Sequence, residues 1–336
     1  MKRILSIVFS FALLSSILLI SSENSDMVAM AMQISQRGAE VAIDDSVTIN
    51  PTASSRSALD DEETRQAIAA ASPSAIIVYH GDTDKVEIIE PDIAVHDNTV
   101  STEPYIPEGL PVAPPPVQSH IIVDSDDRGQ ITTPVLNSYP YCTMVYLSVT
   151  YKNGSHATAS GCFVAENKIL TSSHVLYDAN RGIATSVTIT PGGLLSNFSS
   201  ATSNDIYLNS KYLQSPSVDN DYGVVVIKDS LGTGYLGMSA KSTTELSDVI
   251  LAGTYGYPTD KPAGTLWYSS GNLSSILART FCHDADTEDG QSGSPLFDMA
   301  DFYYVIGVHY GRYPLNSNKN VAARVTQDLI NFVIAC

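Results

Sequence analysis

From about residue 121 the chain alternates short apolar runs with clusters of Gly, Asn, Asp, Ser and Pro. Runs over 143–151, 162–165, 186–190, 222–227, 249–253 and 303–309 have the length and β-branched or aromatic content of strands. Between two of them lies Lys152-Asn153-Gly154-Ser155, where Asn-Gly supplies the positive φ angles of a tight hairpin. Many short strands at this spacing predict an all-β barrel or sandwich. Only the last stretch, 326–335, places apolar residues at helical intervals (Leu329, Phe332, Val333), so a carboxy-terminal helix is expected.

The amino-terminal third reads differently. Lys2 and Arg3 precede an apolar or small stretch over 4–20, and Ala29-Met30-Ala31 follows, the pattern of a secretory signal peptide over residues 1–31. Residues 32–120 are poor in aromatics, carry 15 acidic against 4 basic residues, and end in a Pro-rich run over 104–116. That composition reads as an acidic propeptide with a stiff linker. Alternating patches at 75–79 and 85–89 are compatible with a small sheet inside it. The domain organisation expected is thus signal peptide 1–31, propeptide 32–120 and catalytic domain 121–336.

Charge narrows the function classes. The 336 residues include 36 acidic and 18 basic side chains, a net charge of −18, without the concentrated Lys and Arg that a phosphate backbone requires. Nucleic acid is excluded as a partner. The four cysteines, Cys142, Cys162, Cys282 and Cys336, show no zinc-like spacing, so no metal site is expected, while Asp124, Asp126 and Asp127 form no complete ligand loop and leave a calcium requirement open. In a secreted chain one or two disulfides are plausible, with the pairing open, while Cys162 also suits a small buried hydrophobe. Gly232-Thr233-Gly234-Tyr235-Leu236-Gly237 matches a dinucleotide-binding pattern, but no strand leads directly into it and no helical period follows, so no cofactor is expected.

Three segments each set a polar residue at the end of a β-type run: His174 after 169–173, Asp221 before 222–226, and Ser292 within Gly290-Gln291-Ser292-Gly293-Ser294-Pro295. A serine hydroxyl needs a base to take its proton, and a neutral imidazole needs a carboxylate to fix its tautomer. These residue types therefore read as base (His174), orienter (Asp221) and nucleophile (Ser292), with the amides of Gly290 and Ser292 as oxyanion donors. Taken singly, each segment is equally an ordinary strand end.

The sequence resembles the glutamyl endopeptidases, a bacterial branch of the chymotrypsin-like serine proteases. The resemblance runs from about Ile121 to the carboxy terminus through Asp127-Arg128-Gly129-Gln130-Ile131-Thr132, Ser160-Gly161, His174-Val175, Gly256-Tyr257-Pro258, the Gly290–Pro295 motif and Ile306-Gly307-Val308-His309-Tyr310-Gly311. It implies two perpendicular six-stranded β-barrels with the triad at their junction, and a monomeric secreted endopeptidase acting on proteins or peptides, away from the membrane once its leader is cut. It also implies a substrate pocket lined by Thr287 and His309, whose hydroxyl and imidazole suit a Glu side chain. Asp286 departs from that pattern, because an Asp there suits Arg or Lys in the trypsin-like manner. Glu preference is slightly favoured, with Arg or Lys specificity as the alternative; a non-catalytic binding or adhesion protein on the same scaffold is the other class. Gln291 precludes the amino-terminal ion pair of the digestive zymogens, and by resemblance a mature start at Ile121 places the new α-amino group near the pocket.

Overall fold

The computed structural model describes residues 57–91, 101–115, 126–313 and 319–336. The expected signal peptide, residues 32–56 of the propeptide segment and the expected start at Ile121 lie outside them.

Along the described residues the first strands are β1 (Ile76–His80), β2 (Lys85–Ile89), β3 (Ser101–Thr102) and β4 (Gly129–Gln130). Then follow β5 (Met144–Tyr151), β6 (His156–Phe163), β7 (Lys168–Thr171), β8 (Tyr177–Asp178), β9 (Gly182–Pro191), β10 (Ala201–Ser203), β11 (Asp205–Asn209) and β12 (Gly223–Val226). The remainder are β13 (Gly237–Ser239), β14 (Ala252–Gly256), β15 (Trp267–Gly271), β16 (Leu273–Ser274), β17 (Thr280–His283), β18 (Pro295–Asp298), β19 (Tyr304–Arg312) and β20 (Asn320–Arg324). Helices are short: α1 (Glu62–Ala70), α2 (Ser173–Leu176), α3 (Ser210–Gln214), α4 (Thr243–Ser247) and α5 (Gln327–Ala335).

Two sheets result. The first has the order β10-β9-β5-β6-β7-β12-β11-β1-β2, with β8 on β9; the second runs β16-β17-β20-β19-β18-β14-β15-β4, with β13 beside β19 and β3 beside β13. Setting aside β1, β2 and strands of three residues or fewer leaves β5, β6, β7, β9, β11 and β12 in one and β14, β15, β17, β18, β19 and β20 in the other. These are the two six-stranded units that the resemblance implies. Among the described residues, no helix is long and apolar enough to cross a membrane.

Local sequence accounts for the main elements. In β5 the inward positions Val145, Leu147, Val149 and Tyr151 alternate with Tyr146, Ser148 and Thr150, and the Asn153 side chain accepts from the Ser155 amide at 2.9 Å while Gly154 takes φ +82°. The expected terminal helix is α5: Thr326 caps it by accepting from the Leu329 amide, Leu329, Ile330, Phe332 and Val333 are buried, and Lys168 Nζ donates to the carbonyls of Val333 and Ile334 at its end. The run expected over 249–253 starts later, at Ala252, because the Val249 amide closes the last turn after α4 and Ile250 is fully out in solvent. In the glycine-rich 232–237 stretch, Gly232 and Gly234 turn the chain with positive φ into β13, and no helix opens there.

All four cysteines are free thiols, Cys142, Cys162 and Cys282 buried and Cys336 half-buried, so the disulfides thought plausible are not formed. Apolar packing takes their place, and burial pushes the Cys142 thiol up to about 12.

Part of the acidic amino-terminal segment is built into the first sheet. After α1, the hairpin β1–β2 adds β1 to the edge of β11, with Ile76, Ile77, Val78 and Tyr79 at 1% exposure or less. Burying each such side chain contributes about 1.5–3 kcal/mol. Residues 101–115 follow the second sheet: β3 pairs with β13, Tyr105 and Tyr235 exchange backbone hydrogen bonds, and Tyr141 donates to the Pro114 carbonyl.

Candidate active site

Strand β7 runs straight into α2, so His174 sits at the mouth of the first sheet, with its ring 3% exposed. Asp221 ends a 3-10 turn just before β12 and is fully buried. The two meet twice: the His174 amide donates to Asp221 Oδ1 at 2.8 Å, and His174 Nδ1 lies 2.6 Å from Oδ2. A carboxylate so placed holds the proton on Nδ1 and leaves Nε2 as the basic nitrogen. Nε2 is buried and, among the described residues, has no hydrogen-bond partner. Asn209 secures the Asp221 segment from both sides, its Nδ2 donating to the carbonyls of Asn220 (2.6 Å) and Tyr222 (3.0 Å).

Ser292 stands on the tight loop before β18. Its Oγ donates to the Tyr310 carbonyl at 3.3 Å, and the Tyr310 ring meets the His174 ring edge to face with centroids 5.2 Å apart. Gly290 (φ +87°) and Gly293 (φ +83°) occupy the left-handed region, and a Cβ on Gly293 would stand 2.1 Å from Thr171 Oγ1 and 2.3 Å from the Ser160 carbonyl. The amides of Gln291, Gly293 and Ser294 are engaged internally. Among the described residues those of Gly290 and Ser292 have no acceptor, so two neighbouring donors remain free for an oxyanion. Ser160, on β6 of the other sheet, sets this loop by donating its hydroxyl to the Gly290 carbonyl (2.8 Å) and its amide to the Ser292 carbonyl (3.0 Å).

On β19 the buried His309 is bonded through its backbone to Gly293 and Ser294, which fixes it behind the serine loop. Its Nδ1 lies 3.1 Å from Nε2 of His283 on β17, and burial holds both rings neutral, pulling His283 down to about 3 and His309 well below the ordinary histidine range. Asp286 and Thr287 are half-buried on the connection between β17 and β18, while Glu288 and Asp289 are exposed. Asp286 is not isolated: its Oδ2 accepts from the Asp127 amide at 3.1 Å, and its own amide donates to Ser269 Oγ at 2.8 Å. Burial and the nearby Asp286 raise the Asp127 carboxyl above the usual range.

Residues 159–308 match the family model of the trypsin-like peptidase domain. A solved structure of a Glu endopeptidase in complex with MPD aligns with a TM-score of 0.54 and 26% identity, covering 64% of this chain and 98% of that one. The chain is a serine endopeptidase, similar over residues 159–308 to the trypsin-like peptidase domain. The peptidase is 27% identical over 221 residues to a glutamyl endopeptidase of Bacillus licheniformis, covering 62% of this chain and 67% of the relative. It is 29% identical over 223 residues to a Bacillus subtilis protein named extracellular metalloprotease, covering 64% and 69%. Similarity to glutamyl endopeptidases thus rests on both sequence and fold, while part of the peptidase has no counterpart in the solved structure.

Of the residues singled out in the sequence, the peptidase joins His174 to Asp221 directly and brings Ser292 to His174 through Tyr310, without a hydrogen bond between the serine and the imidazole. Asn209, Ser160, Tyr310 and His283 were not singled out for a role at the site. Ser160 and Tyr310 lie inside motifs that carry the resemblance, whereas Asn209 and His283 carry no local signal, being an ordinary strand end and a strand residue.

Proposed function

We propose that the peptidase is a secreted enzyme that cleaves proteins or peptides through His174, Asp221 and Ser292, with preference for Glu before the scissile bond. The buried 2.6 Å contact between His174 and Asp221, with Nε2 left unpartnered, carries this reading. Ser292 Oγ gives up its hydrogen bond to the Tyr310 carbonyl, passes its proton to His174 Nε2 and attacks the substrate carbonyl carbon. Asp221 stabilises the imidazolium so formed, and the free amides of Gly290 and Ser292 bind the oxyanion. The imidazolium then protonates the leaving amine, and water, activated by the same nitrogen, hydrolyses the acyl-enzyme.

Glu preference is supported by the buried contact between His283 and His309. With His283 Nε2–H donating a hydrogen bond to His309 Nδ1, the proton of the neutral His309 ring sits on Nε2, where it donates to an entering carboxylate alongside the Thr287 hydroxyl. The alternative Arg pocket is disfavoured because Asp286 is engaged by the Asp127 amide. The same contact sets Asp127 beside the pocket segment, which supports a mature start near Ile121. A fluorophosphonate probe is expected to label Ser292 and not the Ser292→Ala variant. Matched peptides with Glu, Arg or Phe before the bond are expected to rank Glu first; no labelling sinks the serine mechanism, and an Arg-first order sinks the pocket assignment.

A further inference from the structure

The hairpin β1–β2 is fastened to the sheet in a way that a discarded leader segment does not require. Strand β1 pairs with β11 from Ile76↔Asn209 to His80↔Asp205, and its apolar side chains are sealed from solvent. At its start, the Ser210 amide donates to the Ala75 carbonyl at 3.0 Å and Ser210 Oγ donates to the Ser72 carbonyl at 2.6 Å. At its far end, Gly81 donates to the Asn204 carbonyl at 2.8 Å and packs so closely that a Cβ there would lie 1.9 Å from the Thr185 carbonyl oxygen. Asp84 accepts from Tyr79 Oη (2.8 Å), Lys152 Nζ (2.9 Å) and the Ala58 amide (3.2 Å), tying the turn of the hairpin to the β5–β6 loop. Gln214 Nε2 donates to the carbonyls of Ile68 and Ala71, which anchors α1 on α3.

We infer that residues 57–91 remain bound in the active enzyme as the permanent strand partner of β11. Cleavage before Ile121 then yields two associated chains and releases no propeptide from this face. Loss of the hairpin would bare the backbone donors and acceptors of β11 and an apolar face of the core, an arrangement prone to edge-to-edge association. It would also loosen the end of the strand from which Asn209 clasps both neighbours of Asp221. The inference rests on the proposed function for its link to catalysis, but not for retention of the hairpin.

The test uses enzyme purified natively from culture medium, labelled with a fluorophosphonate, denatured, and analysed by mass spectrometry for every polypeptide in the labelled peak. Peptides from residues 57–91 are expected in equal amount to those around Ser292, whether or not the chain is cut near Ile121. A labelled, fully active peak lacking residues 57–91 overturns the inference. If nothing labels, the serine mechanism fails, while the polypeptides present in the native peak still decide retention. As a second measurement, Asp84→Ala is expected to speed hydrogen exchange at residues 205–209 by about tenfold or more; unchanged exchange there shows that the hairpin does not protect the edge and overturns the inference equally.

Discussion

His283 Nε2 and His309 Nδ1 meet at 3.1 Å with both rings buried and both held neutral. In the unfolded chain each imidazole titrates near pH 6.5, whereas in the folded chain each resists protonation until far lower pH. Below about pH 6.5 the unfolded state therefore binds the protons first, so the stability these rings contribute is complete above that pH and is lost as the pH falls. The slope tends to about 1.4 kcal/mol per pH unit per histidine. Thermal melts between pH 7 and pH 4 are expected to show a steeper decline for the wild type than for His283→Gln; equal slopes would contradict a neutral buried pair.

Replacing Asp221 by Asn keeps the shape of the site but gives Nδ1 an amide in place of a carboxylate. The same change in a Ser-His-Asp triad costs about 10⁴ in kcat through the wrong histidine tautomer. A loss of that order is expected here, with KM little changed and labelling of Ser292 slowed in parallel. Peptide kinetics over pH 6–9 check it, and a loss under about tenfold would mean that Asp221 does not orient the base.

Gly293→Ala places a methyl group against the Thr171 hydroxyl and the Ser160 carbonyl and strains a residue at φ +83°. Activity is expected to fall by at least about 10² through displacement of the amides proposed to bind the oxyanion, together with a lower melting temperature. By contrast, Gly154→Ala meets open space on a surface hairpin and is expected to cost some melting temperature and no activity.

The thiols offer a chemical check. With Cys142, Cys162 and Cys282 buried and free, a thiol reagent is expected to find almost nothing to titrate in these three in the native enzyme and all four cysteines after denaturation. Dithiothreitol is expected to leave the melting temperature unchanged. Fewer than four thiols in denaturant without reductant would reveal disulfides.

What could be read in advance depended on the range of the interaction. The Asn153-Gly154 turn, the alternation in β5 and the 3.6-residue spacing of Leu329, Phe332 and Val333 are local, and the structure follows each of them. His174, Asp221 and Ser292 could be singled out because their neighbouring residues form motifs, although only the folded chain brings His174 within 2.6 Å of Asp221. Asp127 and Asp286 lie far apart in sequence, so neither residue type nor spacing indicates that one carboxylate caps the other's amide. Residues 76–79 showed β character, but the identity of their partner, β11, depends on an edge that exists only after the sheet forms. The cysteines misled because secretion makes disulfides plausible, whereas the sheets bury three of these thiols as free groups, Cys142 and Cys162 among apolar neighbours.

Ser160 belongs to the first sheet, yet it holds the carbonyls on either side of Gln291 in the second, while Ser172, beside His174, donates to the carbonyl of His309 across the same divide. Each half of the molecule thus supplies the scaffold for the other half's proposed catalytic residue. A gene split within the connection at 228–233 would encode two fragments that are individually inert, and catalysis would return only on their reassembly, making peptide cleavage a direct readout of the two halves meeting.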